Sequence, residues 1–255
     1  MTLSDLLFAL PPRRALAIAI GLSIVVYALA SNMAWVNDHQ LSARLSRFAS
    51  RQQSKWPAVV LKEGLRWLYY IGTPYTTLIL GYNTVRALGV WNLDWFDSLA
   101  WMAAIGLGAT FVLTWVWRPY ARTEHVAAVD ESKWNWARHI IELIYQQAHW
   151  AFYRSGPILW LGDVYWGSFL GLGLSLLEGW SNPNVRSSLR DTARADAPLW
   201  TGSIAIITTV LFIYTQNLYY CLAIHLFLDQ GLRVVIGFPR ATAAEPAPPL
   251  DADSE

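Results

Sequence analysis

The sequence predicts an all-α protein, a polytopic bundle of about seven transmembrane helices, and three observations carry that prediction. Of its 255 residues 55% are hydrophobic and 15% charged, against roughly 45–50% and 25% in an ordinary soluble domain. Apolar runs near membrane length recur along the whole chain, with no soluble-sized stretch between them. Tryptophan is abundant and gathers at the ends of those runs, at Trp35, Trp67, Trp117, Trp166, Trp180 and Trp200, where an indole anchors a span at the lipid–water boundary.

The first run, Ala15 to Val36, contains no ionised side chain and is long enough to span. Arg13 and Arg14 precede it as in a signal peptide, but its length and the lack of an A-x-A cleavage pattern make it mature structure. The second, Trp67 to Gly81, is short and interrupted by Pro74; the third, Ser98 to Trp117, is uninterrupted. His139 to Gly162 is a fourth run with Glu142, Gln146, Gln147, His149 and Arg154 inside it. Tyr165 to Trp180, Leu199 to Gln216 and Leu218 to Gly237 complete the set. Residues 1–240 thus read as one transmembrane domain. The Pro/Ala/acidic segment 241–255 reads as a disordered cytoplasmic tail. Leu41, Leu45 and Phe48 fall at helical spacing among arginines, predicting a surface helix that would make an eighth span if it inserts. His39 and His125 read as solvated loop residues, and "NPN" at Asn182 to Asn184 as a turn.

Lys and Arg near span ends stay on the cytoplasmic side. Seven spans put Arg44, Arg47, Arg51, Lys55, Lys62 and Arg66 in one loop, with Arg118, Arg122, Lys133 and Arg138, then Arg186, Arg190 and Arg194, and finally Arg233 and Arg240 on the same side. Only Arg13, Arg14 and Arg86 lie opposite. The expected protein is a multi-pass component of a bacterial-type inner membrane, N-terminus outside and C-terminus cytoplasmic. A net charge of +1 without a basic stripe argues against nucleic acid as a partner. Cys221, the single cysteine, rules out an internal disulfide, a cysteine-built zinc site or an iron–sulfur cluster and reads as a small buried apolar residue.

An ionisable group inside a bilayer costs a few kcal/mol or more unless it faces the bundle interior and finds a partner. His149, Arg154, Glu178, His225 and Asp229 are therefore expected to converge. His225 and Asp229, four apart, share a face of the last helix, so that the Asp can orient or charge-pair the imidazole or both can reach one ligand. Glu142 and His149 share a face of the fourth. In the fifth, Gly167 and Gly171 precede Glu178 by intervals that keep all three on one face, and the glycines admit a neighbouring backbone there. His139, at the cytoplasmic start of the fourth run, reads as interfacial.

The segment "TQNLYYCLAIHLFLD" resembles the last motif of the CPBP (CAAX protease and bacteriocin-processing, ABI) family, in which a T-x-N-L-W-like stretch leads into H-x-x-x-N/D. His225 and Asp229 match that motif, with Asn217 before them. The family's E-E-x-x-x-R motif falls on "HWAFYR", with His149 and Trp150 at the glutamate positions and Arg154 at the arginine. Its F-x-x-x-H motif falls on "FLGLG", where Phe169 is followed by Gly173 and Glu178 is the ionisable group nearby. The likeness covers the C-terminal half, a CPBP-like core of about residues 139–237.

In the proteases of that family a Glu activates water while His and Asn/Asp groups hold the water or the oxyanion. The resemblance implies an exchange in which His149 replaces Glu and Glu178 replaces His. Glu178 would then be the base, His149 and His225 the oxyanion or metal-binding partners, Asp229 the orienting group, and Arg154, Glu142 and Asn217 supporting residues. Two His and a carboxylate would also make an open three-ligand site for a divalent metal such as zinc, and the chemistry needs none. Three readings follow: an atypical, non-proteolytic or weakly active member that binds membrane lipid, a membrane protein or a prenylated peptide; an active intramembrane endopeptidase; or a structural subunit of a membrane complex.

Overall fold

The computed structural model describes residues 10–45, 56–91, 93–121, 135–192 and 194–232, and every regular element among them is helical. Helix α1 spans Pro12–Leu45. Helix α2, Trp56–Trp67, passes through a π-helical turn, Leu68–Gly72, directly into α3, Thr73–Ile79. Then come α4 (Trp95–Ala121), α5 (Asn135–Leu161), α6 (Val164–Ser181), the short α7 (Pro183–Arg190) and α8 (Asp196–Thr215). Helix α9, Leu218–Leu226, runs on into a second π-helical turn, Phe227–Leu232.

In its described residues each of the seven apolar runs falls on helix, the seventh as far as Leu232, and three helices are long and apolar enough to cross a membrane: Pro12–Val36 in α1, Trp95–Pro119 in α4, and α8. Little of the first two is buried within the protein. Leu107, Phe111 and Trp115 project outward from α4 with more than 70% of their surface free, and apolar belts of this kind belong in lipid. The chain is a membrane protein by this measure. His39 lies within α1 and not in a loop, because the helix continues past the apolar run through Leu41 to Leu45. Phe48, His125 and the tail 241–255 lie outside the described residues. Pro74 does not end the helical course: it lies two residues after the π-helical turn Leu68–Gly72, and α3 continues through it.

Polar side chains start the later helices. Asp163 accepts from Trp166 N at the head of α6, and Asn182 from Asn184 N at the head of α7. The "NPN" turn is thus also a helix start. Asn217 Oδ1 accepts from Tyr219 N and Tyr220 N at the head of α9. Gln216, immediately before, is left-handed with φ 46° and turns the chain back between α8 and α9.

The pairing on which the core is built is α5 against α6. A Cβ at Gly167 would stand 2.6 Å from Ile158 Cα, and one at Gly171 would overlap Arg154 Cα. The two backbones touch, as expected of small residues spaced by four in a membrane helix. A second cluster of Trp117, Trp200, Leu211, Phe212, Cys221 and Leu228 ties α4, α8 and α9 together.

This contact predicts the effect of adding one methyl group. Gly171→Ala should destabilise the protein by about 1–3 kcal/mol, the usual cost of overpacking. Gly173→Ala, two residues on with nothing within 4 Å of its Cβ, should be neutral or gain up to about 1 kcal/mol of helix propensity. Thermal melting of the two variants in one detergent checks the contrast.

Candidate functional site

The polar residues of α5 fall on two faces. Glu142, Gln146, His149 and Tyr153 follow one another at intervals of three or four, while Gln147, Trp150 and Arg154 do so on a second stripe about a third of a turn away. The first stripe meets α1, α6 and the α2–α3 helix; the second meets α8 and α9.

On the first stripe, His149 Nε2 lies 3.3 Å from Glu178 Oε1 of α6, and both residues are buried. Tyr69, in the π-helical turn before α3, donates its hydroxyl to the same Oε1 at 2.5 Å. That hydroxyl also meets Ser23 Oγ at 3.1 Å and Tyr153 OH at 3.4 Å. The imidazole is boxed by the rings of Tyr69, Tyr70 and Tyr153, with centroids 4.5–5.1 Å away. Among the described residues neither of its ring nitrogens makes a hydrogen bond. Two turns towards the start of α5, Glu142 forms an ion pair with Arg66 of α2. This keeps it out of the His149–Glu178 centre.

On the second stripe, Gln147 Nε2 and His225 Nδ1 are 2.8 Å apart, and the imidazole of His225 stacks on Trp150 at 5.5 Å with the rings 4° from parallel. Asp229 lies one turn beyond His225, in the π-helical turn Phe227–Leu232. Its Oδ1 accepts from Trp200 Nε1 at 2.9 Å and its Oδ2 is paired with His139, so the carboxylate reaches α8 and the start of α5. The residue it orients is His139, which the sequence placed at the interface. Arg154, fully buried, lies over the ring of Phe212 at 4.5 Å and leaves Nε and Nη2 without hydrogen-bond partners among the described residues. It faces no carboxylate there. Asn217 is a helix cap rather than a member of either centre.

The expected convergence therefore becomes two centres. One holds His149 and Glu178 with the unforeseen Tyr69; the other holds His225 and Gln147, with Asp229, His139 and Trp200 nearer the start of α5. Among the described residues no three His, Cys, Asp or Glu side chains group closely enough to hold a metal ion. The His149–Glu178–His225 metal triad is accordingly not assembled, because His149 and Gln147, the neighbour of His225, point from different faces of one helix.

None of the family models, curated proteins or solved structures compared with the chain matches it.

A cavity of about 650 Å³ opens beside the first centre. His149, Trp150 and Gln146 of α5 form one wall, the end of α6 around Glu178 and Trp180 another, and Gly202 and Ala205 of α8 a third. Helix α7 covers the remaining side with Val185, Ser188 and Leu189. Its volume is that of a small-molecule site, and its lining is largely apolar with few polar groups.

The division into two centres sets energetic couplings. Glu178→Gln and His149→Ala share a contact and should deviate from additivity by about 0.5–3 kcal/mol, whereas Glu178→Gln and Asp229→Asn should add within about 0.5 kcal/mol. His139, the partner of Asp229, and His149 are roughly 15 Å apart along α5 at 1.5 Å per residue. Double-mutant cycles on unfolding free energy measure both; strong coupling between Glu178 and Asp229 would require a single merged centre.

Proposed function

We propose that this is a multi-pass protein of a bacterial-type inner membrane, an atypical CPBP-like protein that binds an apolar membrane ligand, either a lipid or a lipidated partner, without cleaving it. The observation that carries the reading is the cavity of about 650 Å³, apolar in most of its lining and ending on His149 and Glu178. A site of this kind, between helices of a bundle, is where ligands of bundles sit. The alignment of the two centres argues against a working peptidase. In the CPBP proteases a Glu and two His act on one water, while here His225 is engaged with Gln147 and Trp150 on a different face of α5.

Seven spans are consistent with element lengths. Beyond α1, α4 and α8, helix α5 has 27 residues, about 40 Å, and α2 runs without a break into α3 over a similar distance. With α6 and α9 added, Lys62, Arg66, Arg138, Arg186, Arg190 and Arg194 share one side and Arg86 the other, which supports a cytoplasmic C-terminus.

The second reading, an active endopeptidase with Glu178 as base, is favoured by one observation: an imidazole and a carboxylate 3.3 Å apart, both lining the cavity. Two assays on purified protein in lipid separate the readings. A fluorescent farnesylated peptide should bind the wild type and bind at least ten-fold more weakly to Gly202→Phe, because Gly202 lines the cavity and has open space at its Cβ. The same peptide should remain intact over hours of incubation. Cleavage by the wild type that Glu178→Gln abolishes would instead establish the peptidase.

A further inference from the structure

The polar end of the cavity has a definite hydrogen-bonding demand. His149 is 1% exposed, neither ring nitrogen makes a hydrogen bond among the described residues, and the ring is fixed by three tyrosines. A buried polar group without a partner costs free energy, and a ligand atom that supplies the partner recovers it. Beside it, Glu178 Oε1 is 3.3 Å from Nε2 and already accepts from Tyr69. Among the described residues Glu178 is the only charged one lining the cavity, and no Lys or Arg lines it. A phosphate or carboxylate placed there would meet a like charge with no cation to offset it, in surroundings where screening is weak.

We infer that the ligand enters hydroxyl first: a long-chain or isoprenoid alcohol, whose O–H donates to Glu178 while its oxygen accepts from the N–H of His149. A hydroxyl is the smallest group that does both. An ether or ester oxygen accepts only, an ammonium donates only, and an anion is repelled. Two groups 3.3 Å apart can both reach one oxygen at ordinary hydrogen-bond length. The chain then lies along Trp150, Trp180, Leu189 and Ala205 and leaves past α7. The inference rests on the cavity being the ligand site, as proposed above, and adds the chemistry of the buried end.

Retinol, retinyl methyl ether and retinoic acid carry the same apolar chain with three different heads, and excitation transfer from Trp150 and Trp180 reports their binding to the full chain in nanodiscs. The wild type should bind retinol at least ten-fold more tightly than either the ether or the acid. Glu178→Gln, which keeps size and shape, should lose most of the discrimination against the acid while still binding retinol. Equal binding of all three heads by the wild type, with loss in Gly202→Phe, would overturn the hydroxyl inference and leave the cavity reading standing. Binding of none, or binding that Gly202→Phe does not weaken, would overturn both. The comparison of heads is made on the wild type, so it does not depend on a variant folding.

Discussion

The rest of the structure depends on one steric allowance, the absence of side chains at Gly167 and Gly171. Because nothing projects there, α6 lies on the backbone of α5 at Ile158 and Arg154. Close van der Waals contact between the two backbones, which only residues without a side chain permit, is what holds this pair together. That contact also fixes register. Glu178 follows Gly171 by seven residues on the same face, and the antiparallel return of α6 brings it level with His149. The glycines therefore position the carboxylate as well as stabilising the pair.

Helix α5 acts as a partition. Its two polar stripes serve neighbours that do not share a face, and each stripe is satisfied by different chemistry. On the first stripe Glu142 is met by the Arg66 guanidinium, and His149 and Tyr153 by oxygen groups: the Tyr69 hydroxyl, Ser23 and the Glu178 carboxylate. The Gln147–Trp150–Arg154 stripe is met by rings, with His225 stacked on Trp150 and Phe212 beneath the guanidinium. Aromatic faces offset part of the cost of a buried cation, by about 2 kcal/mol or more when desolvated, without supplying a counter-charge.

Much of this was legible in the residues. The apolar runs located the helices, and the spacing of Gly167, Gly171 and Glu178 anticipated both the close approach and the inward carboxylate. What escaped has local physical causes. The spacing of His225 and Asp229 does not name the partners that Asp229 finds on other helices, Trp200 and His139, and no residue type in "FLDQGL" announces the π-helical turn that carries it. Tyr69 stood in a run read only as apolar, although a buried tyrosine hydroxyl needs a partner and the π-helical turn Leu68–Gly72 carries this one to Glu178. His139 was assigned to the interface from its position alone, which ignored that Asp229 needs a donor wherever it is buried. The spacing did not show how α5 divides its neighbours: His149 meets Glu178 of α6, while Gln147, two residues before it, meets His225 of α9.

Among the described residues, the buried side-chain atoms lacking a hydrogen bond are concentrated on α5: Gln147 Oε1, both nitrogens of His149, and Nε and Nη2 of Arg154. They fall within about two turns of one helix. A bundle stabilised for its own sake would carry apolar residues there, since exchanging a buried charged or polar group for a well-packed apolar one is commonly neutral or stabilising. The remaining deficit is not spread over the molecule as imperfect packing would spread it. It sits where the backbone is held most rigidly, against Gly167 and Gly171, and where His149 meets the cavity. Of these residues only His149 lines the cavity; Gln147 and Arg154 turn towards α8 and α9, where His225 and the ring of Phe212 meet them. The polar load on α5 therefore divides as its two stripes do, one part facing a chamber of ligand size and the other the interior of the bundle.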